Sequence, residues 1–368
     1  MSARIVLFGA TGFTGELTAR ALVARGARPL LVGRDATRVG ALAAELGVDS
    51  AVADATAPRA DATIAALLDR GDVLVSTVGP FARWGRPAVC AAIAAGAHYL
   101  DSTGEPPFIR TVFERHGPHA AAAGSALLTA MGYDYAPGNL AAALALRKAG
   151  GRAQRVDVGY FVGGDTAGQF SGGTRASAAG MLAEPAYAFR DGRLVSERAA
   201  RHVRRFDAGG DGPAISVGAT EQFTLPRIDP GLREVGVWLG WFGPASRPLQ
   251  LLSGATALAT RLPGVRRALT SSATRLVRGS SGGPDTAIRA RTRSRVVALA
   301  SDAAGAPLAS VRLEGASPYD FTAGMLAWAA IRAAGGGVAG SGALGPVEAF
   351  GLDELERGVA QAGIERAC

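Results

Sequence analysis

The chain predicts an α/β protein whose N-terminal part is a doubly wound parallel sheet, on three observations. A glycine-rich turn, Gly9-Ala10-Thr11-Gly12-Phe13-Thr14-Gly15, follows the apolar run Ile5-Val6-Leu7-Phe8 and opens a helical pattern from Glu16 to Arg25. Short apolar runs then alternate with helical patterns as far as Met131, the rhythm of parallel strands joined by crossover helices. Beyond Gly132 that rhythm stops and hairpin-like strands replace it, which predicts a second α/β domain of mixed sheet.

Each element of the first part follows from its own residues. The second strand is Pro29-Leu30-Leu31-Val32-Gly33, with a helix from Asp35 to Leu46 behind it, and the third is Ala51-Val52-Ala53-Asp54. A helix from Ala60 to Arg70 leads into the fourth strand, Asp72-Val73-Leu74-Val75-Ser76-Thr77, and a helix from Pro87 to Ala95 into the fifth, Ala97-His98-Tyr99-Leu100-Asp101. A helix from Phe108 to Ala123 and a strand from Ala126 to Ala130 complete six strands, a full Rossmann unit.

In the second part, a helix from Leu140 to Ala149 precedes a strand from Arg155 to Val162 and the glycine pairs Gly163-Gly164 and Gly172-Gly173. Asp191-Gly192 reads as a hairpin turn between Tyr187-Ala188-Phe189 and Leu194-Val195. Two strands are expected over Thr286 to Leu299 and Leu308 to Leu313, then helices from Tyr319 to Ala334 and Asp353 to Ala362. The first of these strands carries Arg289, Arg291, Arg293 and Arg295 at a spacing of two, which would put four guanidiniums on one face. Such a face is either solvated or suited to an acidic carrier protein or a coenzyme phosphate. The apolar stretch Val235 to Leu262 is broken by Pro244, Arg247, Pro248 and Arg261, so it predicts a core or dimer element and no membrane span.

Composition narrows the function classes. Among 368 residues, 48% are hydrophobic and 19% charged, a globular balance long enough for two cores. Met1-Ser2-Ala3-Arg4 runs straight into a strand, which leaves no room for a signal peptide and points to the cytoplasm. Two cysteines, Cys90 and Cys368, imply no disulfide framework, and His98, His116, His119 and His202 have no zinc-site spacing, so no metal is expected. The net charge of +8 is almost wholly arginine, with Lys148 the only lysine. No basic patch with aromatic interleaving accompanies it, so an acidic partner or a phosphorylated ligand is expected and nucleic acid is not.

The chemistry gathers on the carboxyl edge of the predicted sheet, where such folds bind ligands. Gly9, Thr11, Gly12, Phe13, Thr14 and Gly15 form a phosphate site, because glycine permits a tight turn and the helix N-terminus offers unpaired N–H groups. Gly33-Arg34 stands where NAD-specific sites carry an acidic residue. A guanidinium there pairs with a 2′-phosphate, Arg38 one turn later adds a second contact, and NADP(H) is the expected cofactor, with Asp35 keeping NAD open. Asp54 lies beside the expected adenine, and Thr77, Val78, Gly79, Pro80 and Phe81 beside the nicotinamide. Tyr99, Asp101, Glu105, Tyr133, Asp134 and Tyr135 cluster after the fifth and sixth strands. Of these, Tyr133, Asp134, Tyr99 and Asp101 are the candidate catalytic groups, since a reductase needs an acid near the atom reduced.

Together these residues resemble the saccharopine dehydrogenase-like oxidoreductases. The likeness rests on the first turn, Gly33-Arg34, Ser76 to Phe81, Ala97 to Asp101 with Gly104-Glu105, and Met131-Gly132-Tyr133-Asp134-Tyr135-Ala136-Pro137-Gly138. It continues through Ser171-Gly172-Gly173-Thr174, Gly283-Pro284 and Pro318-Tyr319-Asp320-Phe321-Thr322-Ala323. Within that family the chain looks closest to the trans-acting enoyl reductases, although Tyr135 and Gly138 depart from the turn's usual pattern. The resemblance implies an NADP-binding Rossmann domain over 1–132, a substrate and dimerisation domain over 133–335 and a C-terminal segment, 336–368, returning to the first domain. It implies reduction of a C=C bond in an unsaturated acyl or polyketide-type substrate; the basic charge leaves open an acidic carrier protein as the substrate's bearer, and the apolar stretch leaves open a homodimer. The alternatives are an imine-type C–N reductase and a non-catalytic NADP-binding regulator.

Overall fold

The computed structural model describes residues 3–163, 185–206, 212–259 and 282–367. The expected Gly164 and Gly172-Gly173, the Ser171 to Thr174 motif, and Arg261 and Leu262 lie outside them. The chain forms two compact units, one of residues 1–104, 108–136 and 318–363, the other of residues 105–107, 137–317 and 364–368.

The first unit holds the predicted parallel sheet. Its strands are β1 (Ile5–Phe8), β2 (Leu30–Gly33), β3 (Ser50–Val52), β4 (Val73–Ser76), β5 (His98–Asp101) and β6 (Ala126–Leu128). Among the described residues their order is β6-β5-β4-β1-β2-β3, and a short strand from far down the chain, Gly342–Ala343, adds beside β6. All neighbours run parallel. Every residue of β1 and β4 is buried, as expected of strands covered by helices on both faces. The order reverses beside β1, so the β1 and β4 ends flank the crevice where ligands bind. Helix α1 (Phe13–Ala24) and helix α2 (Ala36–Leu46) cover the early strands.

The chain comes back to this unit sooner than the expected residue 336, at Pro318. Helix Pro318–Ala334 buries Phe321, Met325, Leu326 and Trp328 and packs on α1. That apolar face needs a cover, and α1 supplies it. The return also ends early: Ile364–Arg366 pairs antiparallel with a strand of the other unit's sheet.

The second unit has a mixed sheet of nine strands among the described residues. Its centre is β7 (Arg155–Gly163), parallel to Glu234–Leu239 on one side and antiparallel to Arg293–Ser301 on the other. The expected hairpin forms: Pro185–Arg190 pairs antiparallel with Arg193–Arg198, and Asp191 and Gly192 take φ of 52° and 76°, the positive pair that a two-residue hairpin turn requires.

The arginine stripe is corrected. Thr286–Arg291 is a helix, not a strand, because the Asp285 carboxylate accepts from the Ile288 N–H at 2.8 Å and caps it. Arg289 and Arg291 therefore leave the strand that holds Arg293 and Arg295. Arg289 donates to the Pro284 carbonyl and Arg295 pairs with Glu314 at 3.0 Å, so no common guanidinium face exists. The stretch from Val235 likewise resolves into the strand Glu234–Leu239 and the helix Ser246–Ala259. No helix among the described residues is long and apolar enough to cross a membrane.

Asp157 on β7 is fully buried and anchors this sheet. Its carboxylate accepts from Arg155 Nε at 2.7 Å, from Trp238 Nε1 at 2.8 Å and from Arg204. Asp157→Ala would strand three donors, and chemical denaturation should read a loss of about 1–3 kcal/mol. The value sits at the modest end for a buried carboxylate because Arg155 and Arg204 keep some contact with water.

Candidate functional site

The glycine turn is built by close approach. Gly9 has φ of +90°, a left-handed conformation that glycine adopts without strain. Its N–H and that of Ala10 donate to the Val32 carbonyl at 2.8 and 3.1 Å, which ties the turn to β2. Gly12 stands at the N-cap of α1 and Gly15 lies in its first turn. A Cβ on Gly15 would lie 2.1 Å from the Gly9 carbonyl oxygen, so no larger residue fits this loop. Gly12, Thr11, Phe13 and Thr14 are each partly exposed around the helix start. No side chain caps that end, the arrangement in which a helix N-terminus can receive an anion.

The end of β4 is fastened to the same turn. Thr77 Oγ1 donates toward the Gly9 carbonyl at 3.1 Å and the Phe8 carbonyl at 3.3 Å. Val78 and Pro80 are half-buried and Gly79 is exposed. Phe81 is buried against Phe108, with ring centroids 5.6 Å apart, and begins a one-turn helix that Pro80 leads into. Thr77 and Val78 thus lie against Gly9 of the glycine turn, while most of Phe81 serves packing.

At the β2 end, Arg34 and Arg38 are both exposed. Arg38 donates its guanidinium to the Thr11 carbonyl at 3.0 Å, and Asp35 caps α2 by accepting from the Arg38 N–H. Asp35 is therefore occupied as a cap. Asp54 accepts from the N–H and hydroxyl of Thr56 at 2.8 and 2.9 Å. Those bonds, helped by the charge of Arg34, hold its carboxyl below the usual range.

The four catalytic candidates separate by environment. Tyr99 is fully buried on β5, and burial beside Asp101 pushes its phenol well above the ordinary value. Asp101 is also fully buried, but its carboxylate accepts from the Thr103 and Ala130 N–H groups at 2.9 Å each and from Thr129 Oγ1 at 2.7 Å. Burial lifts it to about 6 while these bonds pull it down. The carboxylate laces the ends of β5 and β6 together, which is a positioning task and leaves little of it for substrate.

Asp134 has the opposite surroundings. It keeps partial exposure, yet its Oδ1 is buried with no hydrogen-bond partner among the described residues. Burial alone pushes the carboxyl up to about 7, so it keeps a proton into the neutral range, where an ordinary aspartate has lost it. Tyr133 precedes it, buried and edge-on to Phe321 at 6.4 Å. The turn carrying both is closed by Tyr135 N–H to the Ala130 carbonyl at 2.8 Å and Ala136 N–H to the Gly132 carbonyl at 3.0 Å. Sequence reasoning did not assign Tyr319 or Thr322 to this edge. Tyr319 meets Phe13 edge-on at 5.1 Å, and Thr322 Oγ1 accepts from the Tyr133 N–H at 3.0 Å. Their signal was the Pro318 to Ala323 motif, which carried no role until its helix was placed.

Residues 5–130 match the family described as the saccharopine dehydrogenase NADP binding domain. A putative trans-acting enoyl reductase of Mycobacterium tuberculosis is 40% identical over 182 residues, 47% of this chain and 42% of that protein. A trans-acting enoyl reductase of Mycobacterium leprae is 41% identical over 143 residues, 37% of this chain and 34% of that protein. The chain thus spans less than half the length of these curated relatives. Apo saccharopine dehydrogenase (L-Glu forming) from Saccharomyces cerevisiae superposes over 100% of both chains with a TM-score of 0.59 at 14% identity, a likeness of fold.

Proposed function

We propose, from the match of residues 5–130 to the saccharopine dehydrogenase NADP binding domain, that this protein is an NADPH-dependent oxidoreductase reducing the C=C bond of an unsaturated acyl or polyketide-type substrate. The observation that carries the reading is Asp134, a carboxyl kept near neutrality by burial on the sheet edge that holds the phosphate turn. Relatives named trans-acting enoyl reductases support the substrate class. NADPH, when bound, supplies the hydride. Gly9, Gly12 and Gly15 seat its pyrophosphate, with Thr11, Phe13 and Thr14 around it, and Arg34 and Arg38 receive its 2′-phosphate. Asp54 borders the adenine, and Thr77 to Phe81 border the nicotinamide. Asp134 delivers the proton that completes saturation, Tyr133 walls the site beside it, and Asp101 with Tyr99 keeps the two strand ends in place. The acyl chain arrives on an acidic carrier protein in the cytoplasm, matched to the net charge of +8, and two copies of the chain form the working enzyme.

The test is NADPH oxidation by the purified protein with α,β-unsaturated thioesters, free and carrier-bound, beside imine-forming carbonyl and amine pairs. Turnover of the thioesters alone is expected. Oxidation only with the imine-forming pairs would replace the reading with a C–N reductase, and cofactor binding with no turnover would make the protein a regulator. Arg34→Asp should weaken NADPH binding by about 10- to 100-fold, the equivalent of one charge-assisted hydrogen bond, and leave NADH binding nearly unchanged. Equal losses for both nucleotides would remove Arg34 from the 2′-phosphate.

A further inference from the structure

The motif Pro318 to Ala323 touches both chemical ends of the first unit through one turn of helix. Tyr319 lies with its ring at 82° to that of Phe13, the first residue of α1 after its glycine N-cap. Three residues on, the Thr322 hydroxyl donates to the Pro318 carbonyl at 2.6 Å and accepts from the Tyr133 N–H at 3.0 Å. A Cβ on Gly132 would lie 2.9 Å from Thr322 Cγ2, so the acid-bearing turn passes this close because residue 132 is glycine. Between them, Phe321 packs edge-on against Tyr133. The Pro318–Ala334 helix is long and well buried, hence a rigid base for these contacts.

We propose that this first turn is a spacer that sets the Asp134 turn against the phosphate turn, with Thr322 a positioning residue for Asp134 and Tyr319 a brace for Phe13 and the cofactor end. The proposal rests on Asp134 being the proton donor. Thr322 acts through the Tyr133 amide: its hydroxyl is the acceptor that holds that peptide, and the next residue is the acid. A side chain of the same shape without a hydroxyl removes the acceptor that Thr322 gives the Tyr133 N–H and frees the turn to shift. Displacements of about 1 Å at a reacting group are enough to cost up to 100-fold in rate. Tyr319 acts on the other side, since removing its ring releases Phe13 and loosens the N-terminus of α1.

The test compares Thr322→Val, Thr322→Ser, Phe13→Ala, Tyr319→Ala and the last two combined in the full chain. Thr322→Val should lower kcat by about 10- to 100-fold, move the pH at which activity falls, and leave the NADPH Kd in place, with Thr322→Ser recovering most of the rate. Phe13→Ala and Tyr319→Ala should each raise the NADPH Kd, and the double variant should raise it by less than the product of the two. Loss of rate in Thr322→Ser equal to that in Thr322→Val, or multiplicative effects of Phe13→Ala and Tyr319→Ala, would overturn the proposal. Should the wild-type protein reduce no substrate, the functional reading fails on its own. The proposal is then decided by the NADPH Kd cycle and by carbon NMR titration of the Asp134 carboxyl, where a midpoint unmoved by Thr322→Val overturns it and a moved one supports it.

Discussion

Asp134→Asn is expected to reduce turnover by about 100- to 10,000-fold, the usual worth of a positioned general acid, with little change in the NADPH Kd. The amide has nearly the shape of the carboxylic acid and no proton to give, so stopped-flow NADPH oxidation isolates the chemical step. The wild-type rate should fall as pH rises through about 7, where Asp134 loses its proton, and that limb should vanish from the residual rate of the variant. A pH profile identical in both proteins would place the acid elsewhere. Stability moves in the same direction for a separate reason. An unfolded aspartate titrates near 4, whereas native Asp134 titrates at about 7. Between those values the native state keeps a proton that the unfolded chain has lost, so stability declines as pH rises across that window and levels off above it. Urea midpoints at pH 5 and pH 8 should therefore lie closer together in Asp134→Asn than in wild type. Asp101, lifted to about 6, adds a slope of the same sign, while His98, His116 and His202, lowered chiefly by burial, add one of opposite sign, so the comparison rests on the difference between the two proteins.

Gly15→Ala should abolish measurable nucleotide binding. The added methyl would lie 2.1 Å from the Gly9 oxygen, 2.9 Å from the Gly9 carbonyl carbon and 2.9 Å from Thr77 Oγ1. Two of these neighbours are backbone and cannot swing aside, so the turn must open, at a cost of about 1–3 kcal/mol in stability. Opening it scatters the N–H groups that receive the pyrophosphate. Calorimetric titration with NADPH should show at least about a 100-fold loss, since several charge-assisted bonds weaken together. Gly40→Ala is the matched control: residue 40 lies within α2 with nothing within 4 Å of a Cβ there. It should bind normally and gain slightly in stability. Tight binding by Gly15→Ala would mean that the nucleotide sits away from this turn.

What could be read from the sequence was local. The six βα units were legible because each apolar run and each helical pattern announces itself within about a dozen residues, and the Asp191-Gly192 hairpin because its turn chemistry is specific. Thr286 to Arg291 was misread as strand because alternating arginines look like a pleated face, and the Asp285 cap outweighed that spacing. The division of labour between Asp101 and Asp134 was not legible. It depends on which carboxylate meets Thr129 and Ala130 and which keeps a buried oxygen without a partner among the described residues, a matter of β5 and β6 standing side by side. The return point at Pro318 was hidden for the same reason: the apolar face of that helix finds its partner in α1, some 300 residues earlier in the chain.

That late return has a consequence for synthesis. Residues 1–136 supply most of the first unit, yet the helix covering α1 and the strand beside β6 belong to residues 318–363. At about 5–20 residues per second, making the intervening stretch takes on the order of 10–40 s. Through that interval the apolar face of α1 awaits its cover. The sheet of the first unit is therefore complete only once residues 318–363 have been made, long after its first six strands.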